Sequence, residues 1–198
     1  MKALITGFDP FGPHAFNPSG ALLAALRADP PSGCFDVFAF QPLPTVFDAS
    51  RALLIAAMER ESPDVTIMFG LAAATPNIRL ERIALNLDAA ELPDNSGRRR
   101  DGEAIIPGAL LARRTTFPVT ALRDTLAPQG FDVVVSNHAG AYVCNHVYYA
   151  ALHHIATTGS PCQALFVHLP EVTPDGIPHL TRFAAALFRA LRRQAPVA

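Results

Sequence analysis

The chain has 198 residues, half of them hydrophobic and 17% charged, with a formal net charge of −1. This length suits one domain with its own core, and the composition excludes a disordered chain. The near-neutral charge gives no electrostatic footprint for nucleic acid or an anionic membrane, and Cys34, Cys144 and Cys162 are too few and too far apart for a disulfide scaffold or a paired-cysteine zinc site.

Residues 2–6 form the first apolar run and predict a strand. The run carries one positive charge and is too short for a signal peptide. No stretch reaches the roughly 18 uninterrupted apolar residues of a membrane helix. The expected compartment is therefore the reducing cytoplasm. Gly7-Phe8-Asp9-Pro10-Phe11-Gly12 follows the strand. It lacks the spacing of a phosphate loop and has no Lys-Ser/Thr after it. A proline-stiffened loop with two phenylalanines suits an apolar pocket wall, or simple core packing. Asn17-Pro18 then supplies an N-cap and a first-turn proline for a helix to about residue 27.

Residues 35–41 alternate as a second strand, and residues 46–60 carry an apolar helical face. Residues 64–69 form a third strand that ends at Gly70. Residues 78–87 alternate through Ile83, Leu85 and Leu87 and predict one strand. The rest of 70–118 breaks the rhythm with Pro76, Pro93, Pro107, Pro118 and the basic run Arg98-Arg99-Arg100. It reads as an irregular excursion, of the kind that is usually functional or mobile.

Residues 120–129 and 143–157 predict helices, and residues 132–136 between them read as a buried central strand. A strand at 164–168 is stopped by Pro170, and a helix spans 178–193 with Arg189, Arg192 and Arg193 near its end, where the macrodipole favours cations. Eighteen prolines punctuate these elements, and no repeat or linker divides the chain. Residues 1–198 are thus expected to form a single α/β domain. Its fold class is a three-layer α/β/α sandwich around a mostly parallel, partly mixed twisted sheet.

Three places can carry chemistry. Cys144 follows a strand and a small-residue turn, in the first turn of a helix. Free N–H groups and the helix dipole there would lower its pKa and could hold an oxyanion. The alternative is a small core residue. His168 ends a strand, where sites form in open α/β sheets; Cys144 also follows such an end, so both could meet at one edge of the sheet, with His168 serving as base and acid. The alternative is a structural histidine. His146, two residues after Cys144, points about 200° away around the helix. Glu81 stands in an otherwise apolar strand, where a carboxylate needs a partner; it could orient an imidazole or pair with Arg79 or Arg82 on the surface.

Together these segments resemble the pyroglutamyl peptidase I family of cysteine peptidases over nearly the whole chain. The resemblance rests on Thr6 to Gly12 with Asn17-Pro18-Ser19, on Gly70-Leu71-Ala72, and on Glu81-Arg82-Ile83-Ala84 with Asn86. It continues through Pro93-Asp94-Asn95 and Gly97, then Ser136, Ala139-Gly140, Tyr142-Val143-Cys144-Asn145 and Val167-His168-Leu169-Pro170. It implies Cys144 as nucleophile, His168 as general base and acid, and Glu81 as the group orienting His168. It implies substrate contacts from Phe11, Asn17, Leu71, Tyr142 and Val143, no metal or other cofactor, and assembly as a dimer or tetramer. The implied reaction is hydrolysis of the amide after an N-terminal pyroglutamate, a flat neutral lactam that suits an apolar pocket with few polar groups.

The chain departs from the family at several positions. After Gly70-Leu71-Ala72 the family usually has Gly-Arg, and here Ala74-Thr75 stands there. Glu91 occupies a position often held by Arg, Arg79 one usually held by Ser or Thr, and His138 one usually held by Thr or Ser. Arg79 and Glu81 are two apart on a strand and share a face, so Arg79 stands to restore positive charge lost at Thr75 and Glu91. The plainer alternative is a solvated arginine. The rival functions are an amidase for another small acyl group on the same triad and a non-catalytic binding protein on the same scaffold.

Overall fold

The computed structural model describes residues 1–194, in which strands and helices alternate except for a run of six strands between residues 65 and 114. In order they are β1 (Lys2–Phe8), α1 (Pro18–Ala28), β2 (Val37–Leu43), α2 (Phe47–Glu61), β3 (Val65–Leu71), β4 (Ile78–Glu81), β5 (Ile83–Leu85), β6 (Asp88–Ala90), β7 (Arg100–Glu103), β8 (Ala112–Arg114), α3 (Val119–Leu126), β9 (Val133–Ser136), α4 (Val143–Thr158), β10 (Gln163–Leu169) and α5 (Ile177–Gln194).

Six strands form the central sheet, in the order β2-β1-β3-β10-β4-β9. The four strands β2, β1, β3 and β10 run parallel. β4 runs against β10, and β9 follows the direction of β4. The three-layer α/β expectation holds, and the mixed part of the sheet is its β4–β9 edge.

Each long strand sorts its side chains by alternation. On β10, Leu165, Val167 and Leu169 join the core made with α1, α3 and α5. Ala164 and Phe166 join the opposite core, made with α2 and α4. β3 is buried along its whole length, as a central parallel strand covered on both faces should be. α1 begins as expected: Asn17 caps it by accepting from the Ser19 N–H, with Pro18 in the first turn.

Two expectations need correction. The strand expected over 78–87 is broken at Arg82. β4 stays in the central sheet, while β5 leaves it to pair with β8. The Arg82 N–H binds Ser136 O and its carbonyl accepts from the Thr115 N–H, so the ladder changes partner there. The segment after it is also more ordered than an irregular excursion. β6 and β7 form a hairpin and β8 closes on β5. Strands of three or four residues are too short to show a period in sequence.

Candidate active site

β10 sets His168 on the same sheet face as Phe166, with their ring centroids 4.8 Å apart. The antiparallel register places Arg79 opposite His168 and Glu81 opposite Phe166. His168 Nδ1 donates to Glu81 Oε1 at 2.8 Å. The Glu81 side chain is fully buried and the His168 side chain 8% exposed. A carboxylate bound at Nδ1 fixes the ring and its tautomer, which leaves Nε2 for chemistry. The Glu81 carbonyl is itself held by the Tyr148 hydroxyl at 2.9 Å.

Cys144 is the second residue of α4. It does not arrive from the carboxyl end of a strand parallel to β10, as the sequence pattern suggested. β9 runs the other way, and residues 137–142 lift off the sheet to begin α4 above it. The sulfur lies over Gly70, the β3 residue in register with His168. A β-carbon at Gly70 would stand 2.8 Å from Cys144 Sγ and 2.7 Å from the Phe166 ring. Only glycine admits that approach.

The expected depression of the Cys144 pKa is absent. Burial pushes the thiol up to about 12, with the Glu81 charge adding to it, and the backbone N–H of the helix start does not offset them. The group therefore rests as a thiol. It can become a nucleophile by passing its proton to a base as it attacks. No side chain among the described residues caps the N-terminus of α4 at Tyr142. Its first-turn N–H groups are free to receive a developing oxyanion.

The start of α4 is braced by the segment that follows β4. The Asn145 side chain accepts from the Leu85 N–H at 2.9 Å and donates to Leu85 O at 2.9 Å and Leu87 O at 3.0 Å. The Ala89 N–H binds Ala141 O at 2.9 Å, and the Tyr142 hydroxyl donates to Pro93 O at 2.9 Å. His146 Nδ1 meets Asp88 Oδ2 at 2.7 Å in a wholly buried pair. Nothing in the sequence pattern marked that pair.

Cys144, His168 and Glu81 line one cavity of about 300 Å³, together with Phe11, Asn17, Leu71 and Tyr142. Seven of the eight residues expected at the site thus come together. Val143 does not line it: its side chain packs in the α2–α4 core. Asn17 lines the wall, but its side chain is spent locally, donating to Asp9 O and accepting from the Ser19 N–H and hydroxyl. Phe11 and Tyr142 face each other with ring centroids 5.8 Å apart and form the apolar wall. Phe8, Thr45, Thr75, Arg79 and His138 also line the cavity and were not among the expected contacts. For Arg79, the two-residue spacing from Glu81 was the available signal. Among the described residues, no three His, Cys, Asp or Glu side chains are grouped to hold a metal ion.

A family profile described as pyroglutamyl peptidase matches residues 1–182. The pyrrolidone-carboxylate peptidase of Gloeobacter violaceus is 37% identical over 192 residues, covering 97% of this chain and 92% of its own. That of Pyrococcus furiosus is 39% identical over 172 residues, covering 87% and 82%. The crystal structure of Bacillus amyloliquefaciens pyroglutamyl peptidase I superposes with a TM-score of 0.89 at 30% identity, over 100% of this chain and 99% of that one.

Proposed function

This chain belongs to the pyroglutamyl peptidase family, and we propose that its activity, release of an N-terminal pyroglutamyl residue, is carried by Cys144, His168 and Glu81. The observation that carries the assignment is the 2.8 Å bond from His168 Nδ1 to the buried Glu81, in the cavity that Cys144 also lines.

The Cys144 proton passes to His168 Nε2 as the sulfur attacks the pyroglutamyl carbonyl carbon. A C–S bond forms, and the oxyanion meets the first-turn N–H groups of α4. Collapse breaks the C–N bond, and His168 returns its proton to the leaving amine. A water then adds to the thioester, giving its proton to His168. The C–S bond breaks, Cys144 regains a proton and pyroglutamate departs. Glu81 keeps His168 in one tautomer and balances the imidazolium formed in each step. The lactam is neutral and flat, and the Phe11–Tyr142 wall suits it.

The test is hydrolysis of a fluorogenic pyroglutamyl amide, with prolyl and simple acyl amides beside it. Wild type is expected to cleave the pyroglutamyl amide fastest, and folded Cys144→Ala to release no fluorophore. Equal rates on the prolyl or acyl amides would favour an amidase of broader acyl range. Activity in Cys144→Ala would remove the nucleophile. A cytoplasmic location is inferred from the sequence pattern and a dimeric or tetrameric assembly from the family resemblance; among the described residues no helix is long and apolar enough to cross a membrane. Light scattering measures the assembly.

A further inference from the structure

The cavity has two chemically different ends. The sheet order places β1, β3, β10 and β4 side by side, so neighbouring strands at about 4.8 Å put β1 and β4 roughly 14 Å apart. Phe8 ends β1, and Phe11 follows it against Tyr142. Arg79 stands on β4, and His138 follows β9 beyond it. The Cys144 sulfur lies between these ends, over Gly70 of β3. His168 lies one strand further toward β4.

This order fixes which way a substrate must lie. The imidazole that protonates the leaving nitrogen has to stand next to it. The leaving group therefore extends from the sulfur across β10 toward β4, and the acyl ring lies on the aromatic side. The residue after pyroglutamate then rests against Arg79.

The Arg79 side chain is 28% exposed, while the Glu81 carboxylate is fully buried and bound to His168. Arg79 Nη2 donates to Ser136 Oγ at 2.7 Å, and that hydroxyl donates to His138 O at 3.1 Å. The guanidinium is thus held in one orientation by a neutral acceptor. Its Nε lies 3.5 Å from Glu81 Oε1, and among the described residues Nη1 has no hydrogen-bond partner. A fixed cation with spare donors faces the place where the leaving group begins.

Resting on the proposed triad, we infer that Arg79 is a specificity-determining residue that favours pyroglutamyl substrates with a carboxylate on the residue after the ring. That carboxylate is either the free α-carboxylate of a dipeptide or an acidic side chain. The guanidinium fork matches either one.

The test compares kcat/KM for pyroglutamyl-alanine, pyroglutamyl-glutamate amide, pyroglutamyl-lysine amide and pyroglutamyl-alanine amide, in wild type, Arg79→Ser and Arg79→Lys. In wild type at least one carboxylate substrate should exceed alanine amide by about fivefold, the size expected of one partly exposed ion pair. The lysine amide should be the poorest. The pair of carboxylate substrates shows which source the site prefers. In Arg79→Ser the ratio should fall to about one, and Arg79→Lys should keep part of it. Because the readout is a ratio within each variant, a general change in rate does not affect it. Equal rates in wild type, or a preference that survives Arg79→Ser, would overturn the inference while leaving the triad untouched. Failure to cleave any of the four would instead reject the peptidase reading and this inference with it.

Discussion

Two imidazoles near the start of α4 are held in the same way and stand in different surroundings. His168 Nδ1 binds the buried Glu81 at 2.8 Å, and His146 Nδ1 binds the buried Asp88 at 2.7 Å. Each carboxylate has an arginine nearby: Arg79 at 3.5 Å from Glu81, and Arg100 at 2.7 Å from Asp88. His168 and Arg79 line the cavity. His146 is fully buried, with Nε2 enclosed, and Arg100 turns to Asp48 at 2.6 Å and lies over the Phe47 ring. One motif therefore serves two ends. Where the second ring nitrogen reaches a cavity beside a thiol, it can move protons. Where it is enclosed, the pair ties the β6–β7 hairpin to α4 and holds the nucleophile's helix in place.

Removing either histidine separates these roles. His168→Ala should lower kcat by about 10³-fold or more, with little change in melting temperature, because general acid–base transfer is lost. His146→Ala should act in the opposite sense. It leaves Asp88 and Arg100 in a broken buried network and should cost about 3–5 kcal/mol in urea unfolding, with smaller losses in kcat where the chain is folded. Glu81→Gln sharpens the comparison. It keeps the shape but no longer balances the imidazolium, and kcat should fall by about 10²-fold or more.

Asn145→Ala tests the brace itself. It orphans the Leu85 N–H and two carbonyls and should cost about 2–3 kcal/mol, read by chemical denaturation.

The smallest expected effect is acid sensitivity at the outer end of the brace. Burial pushes the Asp94 carboxyl up, but hydrogen bonds from the Ser96 hydroxyl and from the N–H groups of Phe47, Arg98 and Ser96 hold it below its usual value. Asp48 is likewise pushed up by burial and then brought below its usual value by Arg100, Arg51 and Arg98. A depressed folded pKa gives stability that is complete above the unfolded value of about 3.9 and is lost as pH falls through the folded one. Melting temperature should therefore drop below about pH 4. Asp94→Asn should start lower at pH 7 and decline less steeply in acid.

The sequence made one of the two pairs legible. Cys144 after a small-residue turn, His168 before Leu169-Pro170 and Glu81 in an apolar strand each carry a positional signal, and the family resemblance joins them. The second pair left no comparable trace. His146 was placed by its angle from Cys144, which correctly turned it away from the nucleophile but named no partner. Asp88 begins a three-residue strand, and Arg100 is the last member of a basic run in a segment that reads as an irregular excursion. The contacts joining them span 12 to 58 residues and have no period. Strand direction was similarly hidden. The apolar run at β9 reads as a buried central strand, but β9 is the edge of the sheet, with Val134 exposed, and nothing in the run shows that it lies against β10's direction. The thiol pKa was misjudged because the helix start was visible in sequence, while the burial of Sγ and the nearness of Glu81 were not.

Asparagine distinguishes the two imidazoles most directly, since its amide can replace Nδ1 as a donor but supplies nothing at Nε2. The deciding measurement is kcat/KM on a pyroglutamyl amide for folded His168→Asn set against folded His146→Asn. The account predicts a loss of about 10³-fold for His168→Asn and activity within about tenfold of wild type for His146→Asn. Near-normal turnover by His168→Asn, or an equal loss in both, would contradict it.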